Sequence, residues 1–209
     1  MFSKFLSLDP ERQDRIINAA TKVFARKGYR NASTNEIVKE ADISKGLLFH
    51  YFNNKKDLYL FLYDHLMVVF SEKIAEKLDW SEKDIFIKMR QITLIKFELF
   101  GIYPEILKFF KAAYTEEAEE VKSELERRNK EILSKSYEKF FSDIDTSYFK
   151  EGIDIKRAVN IIYWTIEGFG NQQQDQVITA NLEQIDIDKI RAEMDLYLEI
   201  LRTSLYKEK

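Results

Sequence analysis

The residue types that carry covalent, redox or metal chemistry are scarce in this chain, which has no cysteine and only two histidines, His50 and His65. Without thiolates there are no disulfides, no cysteine nucleophile and no cysteine-based zinc site. Neither histidine has a partner at ligand spacing; the residues three before them are Leu47 and Leu62, so the helical Glu-x-x-His pattern is missing. No Gly-x-x-x-x-Gly-Lys loop offers a phosphate cradle and no Gly-x-Ser-x-Gly turn offers a nucleophile, while Gly168-Phe169-Gly170 runs on to Gln173 where a third glycine would be needed. The expectation is a protein that is not an enzyme, with no metal site and no cofactor. What the chain does concentrate is groups suited to phosphates and base edges: Ser33, Thr34, Lys45, Gly46, Leu47, His50, Tyr51, Lys55 and Lys56. Lys45 can neutralise a phosphate or donate to guanine, Tyr51 can offer its hydroxyl, and Ser33 or Thr34 can present a hydroxyl beside helix N-terminal amides.

The elements that must position these groups are legible around them. Ser33 followed by Glu36 reads as a capping box that starts a helix with an apolar face at Ile37, Val38 and Ala41. Asp42 and Ile43 break it after about two turns, and Ser44 caps a second short helix with Lys45 and Gly46 in its first turn. That is the anatomy of a helix-turn-helix, with Leu48 and Phe52 turned to the core and Leu47, His50 and Tyr51 more outward. In such motifs the first residues of the second helix enter the major groove. Glycine costs about 1 kcal/mol relative to alanine inside a helix, so Gly46 implies a close approach to the backbone. Asn54 caps the following helix, with Asp57 at its third position and Lys55 and Lys56 beside the same face.

This ordered string resembles the N-terminal signature of TetR-type transcriptional regulators: Phe24, Gly28-Tyr29, Ser33-Thr34, Ile37, Ala41, Ile43-Ser44-Lys45-Gly46, Leu48-Phe49-His50-Tyr51-Phe52 and Asn54-Lys55-Lys56-Asp57-Leu58. The resemblance covers roughly residues 12–60, and the remainder matches only in being helical and of suitable length. It implies a homodimer on a palindromic duplex operator, released when a small effector moves the helix that starts near Lys55. Two positions depart from the family pattern. Leu47 stands where a polar group is common, which exchanges a hydrogen bond for an apolar contact such as a thymine methyl; Phe49 stands where tyrosine is common and forfeits one phosphate contact.

Charge patterning agrees. The net charge of -3 divides unevenly: residues 1–60 carry 11 Lys and Arg against 7 Asp and Glu, and residues 61–209 carry 22 against 29. Only the first segment suits a polyanion. With two prolines and six glycines, and apolar residues recurring every three or four positions, the chain reads as all-α. About nine helices are expected, near 10–27, 34–41, 45–52, 55–78, 82–102, 105–114, 117–141, 155–174 and 186–206. They divide into a three-helix helix-turn-helix DNA-binding domain over 1–54 and a larger helical effector-binding and dimerisation domain over 55–209. The opening residues Met1 to Leu6 read as a loose arm, too short for a secretory signal. No apolar run approaches membrane-spanning length, so a cytoplasmic protein, nucleoid-associated when bound to DNA and with no membrane partner, is expected.

Two features of residues 61–209 compete for attention. Phe86, Phe97, Phe100, Tyr103, Phe110, Tyr114 and Trp164, with Glu98 or Glu167 for orientation, are candidates to line a pocket for an apolar or aromatic effector, or else are simply core. Ala158, Ile161, Ile162, Thr165 and Phe169 form one stripe, and Met194, Tyr197, Leu198, Leu201 and Leu205 another; together they would give a four-helix dimer seam. Other classes of function stay open at this stage. The chain could be a helical partner-binding scaffold, or a helical small-molecule or lipid carrier or enzyme, with a vestigial helix-turn-helix.

Overall fold

The computed structural model of the chain describes residues 2–179 and 186–208. Among these the regular elements are helices: α1 (Ser3–Leu6), α2 (Pro10–Asn31), α3 (Thr34–Glu40), α4 (Lys45–Tyr51), α5 (Lys55–Lys77), α6 (Ile85–Ile102), α7 (Pro104–Tyr114), α8 (Glu119–Phe141), α9 (Ile155–Thr179) and α10 (Ile187–Leu205). A single 3-10 turn at Thr146–Tyr148 and one isolated bridge between Phe149 and Tyr206 complete them. The nine expected helices are present. The tenth, α1, stands where a loose arm was expected, and Phe5 within it is fully buried.

Local chemistry sets the boundaries. Asp9 accepts a hydrogen bond from the Arg12 backbone N–H and Pro10 occupies the first turn of α2, where its missing N–H costs nothing. The helix breaks at Gly28, whose φ of 66° lies in the left-handed region that side chains with a Cβ resist. Pro104 likewise opens α7. Asp42, at φ 51°, turns the chain between α3 and α4, a conformation that Asp tolerates better than bulkier residues.

Two compact units are present. The first comprises Met1–Ser71 and Tyr103–Ser134; its core joins Phe5, Ile16, Ala20, Val23 and Phe24 to Ile37, Leu48, Phe52, Tyr59 and Leu62, together with Phe109 of α7 and Val121 of α8. Removing that much apolar surface from water is what fixes helices as short as α3 and α4, which are too short to persist alone. The second comprises Glu72–Ile102 and Lys135–Lys209, with Phe86, Met89, Ile92, Ala158, Ile162, Ile166, Ile190, Met194 and Leu198 buried in it. Its C-terminal end is tied down by Asp84, which accepts from Arg202 at 2.8 Å and from the Tyr206 hydroxyl at 3.2 Å. No helix among the described residues is long and apolar enough to cross a membrane.

Candidate nucleic-acid interface

α3 and α4 form the expected pair of short helices. Ile37 of α3, Ala41 at its C-cap and Leu48 of α4, with Phe52 just beyond α4, are buried to 1% exposure or less, and the Ile43 N–H donates to the Val38 carbonyl across the turn at 3.0 Å. Ser44 caps α4 through Leu47 N–H at 3.1 Å. With Leu48 and Phe52 anchored, the opposite face of α4 presents Lys45, Gly46, Leu47, Phe49 and His50 to solvent, and Tyr51 is half-buried. Among the described residues Lys45 makes no hydrogen bond or ion pair. A Cβ at Gly46 would meet only the Ser44 hydroxyl, at 4.0 Å, so nothing inside the fold demands glycine there. Ser33 is exposed and Thr34 half-buried at the start of α3, and Lys56 is half-buried in the first turn of α5.

Two sequence expectations change. The capping box at Ser33 does not close: the Ser33 hydroxyl accepts from Asn35 N–H at 3.3 Å, while Glu36 instead takes Arg26 at 2.7 Å and Lys27 at 2.6 Å. Those cations, Lys27 first, hold the Glu36 carboxyl below its ordinary range. Two flexible cations on the neighbouring α2 outcompete a strained reach back along the chain. Lys55 is the other correction, because its ammonium does not face outward. It donates to the carbonyls of Tyr29 at 2.8 Å, Ala32 at 3.3 Å and Arg30 at 3.4 Å, and lies 4.4 Å from the Tyr29 ring centre. Those carbonyls end a helix and have no intrahelical partner, so a cation there satisfies them in place of water.

The same corner holds a pair of residues that the sequence reading missed. The left-handed turn at Gly28 aims the Tyr29 N–H at Glu116 Oε2, 2.6 Å away, and the Tyr29 hydroxyl donates to Glu120 at 2.5 Å. Burial and these two carboxylates push the Tyr29 phenol above its ordinary value. A Cβ at Gly28 would lie 3.1 Å from Glu116 Oε2. The charge-dense stretch that begins at Glu116 thus supplies structural acceptors to the end of α2. Its only sequence signal is a Gly-Tyr pair that must be received by something far along the chain.

The proposed pocket residues scatter. Phe97, Phe100 and Glu167 do converge, with Thr93, Lys96, Ile166 and Gly170, around a cleft between α6 and α9 of about 260 Å³ counting its open mouth. Lys96 donates to Glu167 at 2.5 Å, both being about 29% and 28% exposed. Phe86 is elsewhere in the same unit, its ring 4.8 Å from that of Tyr206. Glu98 is exposed and paired with Lys77, and Trp164 and Tyr114 are exposed to 66% and 83%. Phe110 packs against Tyr63 and Phe70 in the first unit, and Tyr103 sits at the N-cap of α7 in that unit. Spacing along a helix could not separate these environments, since apolar residues on opposite faces of α6 serve different neighbours.

The expected dimer stripes divide between buried and exposed positions. Ala158, Ile162 and Phe169 on α9 and Met194 and Leu198 on α10 face inward and are buried within the subunit, which removes them from an intersubunit surface. Thr165, Leu201 and Leu205 are half-buried. Ile161 and Tyr197 do face out, and beside them stand residues the stripe omitted: Trp164 at 66%, Leu196 at 62% and Ile200 at 65% exposure. These large apolar side chains stand exposed on two helices that pack together.

A family model described as bacterial regulatory proteins of the tetR family matches residues 16–61, which span α2 through the start of α5. A fatty acid metabolism regulator protein of Bacillus subtilis is 29% identical over 180 residues, covering 80% of this chain and 89% of the relative. Among solved structures, a TetR family transcriptional regulator from Chloroflexus aurantiacus aligns with a TM-score of 0.67 at 19% identity, over 99% of this chain and 98% of that one. The transcriptional regulator FadR from Bacillus subtilis, solved in complex with stearoyl-CoA, aligns with a TM-score of 0.64 at 22% identity over 92% and 98%. At these identities the structural likeness is one of fold.

Proposed function

Because the chain belongs to the TetR family of bacterial regulatory proteins, we propose that it is a homodimeric repressor that binds a palindromic operator and is released by a small amphiphilic effector. The observation that carries the DNA reading is α4 itself: an anchored helix whose outer face offers the unpaired Lys45, the unobstructed backbone of Gly46, and Leu47 and His50. Residues 1–54 make the DNA contacts, with Ser33, Thr34 and Tyr51 as flanking donors and Lys56 adding a cation from the first turn of α5, and the rest of residues 55–209 bind effector and dimerise. Two reading heads related by a twofold axis then meet half-sites about 34–36 Å apart. The Bacillus subtilis and Chloroflexus aurantiacus relatives are both described as regulators. The protein works in the cytoplasm, on the nucleoid while bound to DNA.

For the effector, the lining of the α6–α9 cleft supports an apolar chain against Phe97, Phe100 and Ile166, with the Lys96–Glu167 ion pair as its polar edge. The Bacillus subtilis regulator crystallised with stearoyl-CoA supports the same chemistry, a long-chain acyl thioester. Most of the cleft's volume is open solvent and it encloses little space of its own, so entry of an acyl chain requires α6 and α9 to part. Selection of duplexes from a randomised pool by the full-length protein, followed by mobility shift with and without stearoyl-CoA, tests the proposal. A conserved palindrome that the acyl-CoA releases is the expected result. Failure to enrich any sequence would end the DNA reading, whereas a palindrome indifferent to stearoyl-CoA would end only the effector assignment.

A further inference from the structure

α4 spans only seven residues, too few for a helix to hold its own orientation in water. Leu48 and Phe52 anchor its inner side, but they do not by themselves fix its roll, on which the aim of Leu47, His50 and Tyr51 depends. The missing constraint comes from α1. Phe5, with no exposed surface, is wedged among Tyr51, Phe52 and Phe61, with ring centres 6.0, 5.0 and 5.2 Å away. Phe2 stands on Phe52 and Phe61 at 5.4 and 5.0 Å. α1 is in turn braced from α2, since the Gln13 side-chain amide donates to the carbonyls of Leu8 at 2.8 Å and Leu6 at 3.3 Å. Edge-on and tilted ring contacts of this kind are directional, so the wedge resists rotation as well as excluding water.

We infer that α1 is part of the DNA-reading head and that Phe5 is a positioning residue, which sets operator specificity by fixing the roll of α4 through Tyr51 and Phe52. The inference rests on the DNA-binding reading above. Phe5 itself does not meet DNA; it acts through the two rings it holds. A residue in this role should matter most where base edges are read and least where only backbone charge is felt, because groove contacts need the helix aimed while non-specific attraction does not.

The test uses full-length protein, a duplex selected from a randomised pool by the unaltered chain, and a scrambled duplex of equal length and composition. Phe5→Ala should weaken binding to the selected duplex about tenfold or more while changing the scrambled one less than about twofold. Phe5→Leu, which keeps an apolar filler without the ring, should fall between. Leu125→Ala, buried in α8 of the same unit, controls for lost stability: it should lower the melting temperature and leave the ratio of the two affinities unchanged. An unchanged ratio in Phe5→Ala, or an equal fall in Leu125→Ala, overturns the inference. Should Phe5→Ala not fold, Phe5→Leu decides: a loss of about threefold in the ratio supports the role and no loss removes it. Failure of the unaltered chain to select any duplex overturns this inference and the DNA reading together, a result distinct from an unaffected Phe5 variant.

Discussion

At Gly46 local stability and function pull in opposite directions. The residue lies in the first turn of α4 with open space where a Cβ would stand, so alanine there should stabilise the folded protein by up to about 1 kcal/mol. If the backbone is bare because DNA approaches it, the same methyl should obstruct binding. Gly46→Ala is therefore expected to raise the urea midpoint and to weaken operator binding about tenfold or more, a combination that a purely structural glycine would not give. This much was legible from residue type and spacing, because a cap at Ser44 and a glycine two positions later signal a local conformation. The partner of Glu36 was not legible. Sequence spacing offered Ser33, but the choice was made by Arg26 and Lys27 on another helix, and such competition shows only once the helices are packed.

At the scale of elements, the end of α2 is gripped from two directions. Lys55 at the start of α5 and Glu116 and Glu120 around the start of α8 all close on Gly28 to Ala32. Because the Lys55 ammonium is spent on carbonyls, Lys55→Met should destabilise the fold by about 1–3 kcal/mol, the cost of leaving partly buried polar groups unpaired. Its salt dependence of DNA binding should match that of the unaltered protein. A shallower slope in that variant would return Lys55 to the list of phosphate contacts. Helix positions were readable from periodicity, whereas the facing of α9 and α10 was not. The stripe through Ile162, Met194 and Leu198 is real but serves the subunit's own core, and a helix apolar on more than one side does not announce which side meets a neighbour.

At the scale of the molecule, association and acid sensitivity follow from surfaces and buried charge. If Ile161, Trp164, Leu196 and Ile200 cover one another across a twofold axis, then the double variant Trp164→Glu with Ile200→Glu should sediment as a folded monomer and lose cooperative operator binding. A persistent dimer would place the interface elsewhere. In the second unit, Lys83 and the fully buried Lys88 hydrogen-bond Asp143 at 2.5 and 2.8 Å and hold its carboxyl at about 2, below the ordinary value of 3.8. A carboxyl depressed on folding contributes stability above its unfolded pKa and loses it as pH falls through the folded value. The melting temperature should therefore drop between about pH 4 and pH 2, and less steeply in Asp143→Asn. At neutral pH that variant should already melt lower, since it removes the carboxylate that hydrogen-bonds the buried Lys88 ammonium. A parallel pH dependence in the two proteins would sever this link.

The central claim is that the outer face of α4 meets DNA with Lys45 at its head, and the salt dependence of binding measures it most directly. Each phosphate neutralised steepens the plot of log affinity against log salt by about 0.9 for duplex DNA. With a duplex selected from a random pool and the intact dimer, Lys45→Ala should bind more weakly and with a slope shallower by about that amount per subunit, while its melting temperature stays unchanged. An affinity and slope equal to those of the unaltered protein would contradict the account, because an exposed and unpaired ammonium on the reading helix cannot be a phosphate contact and leave no trace in either.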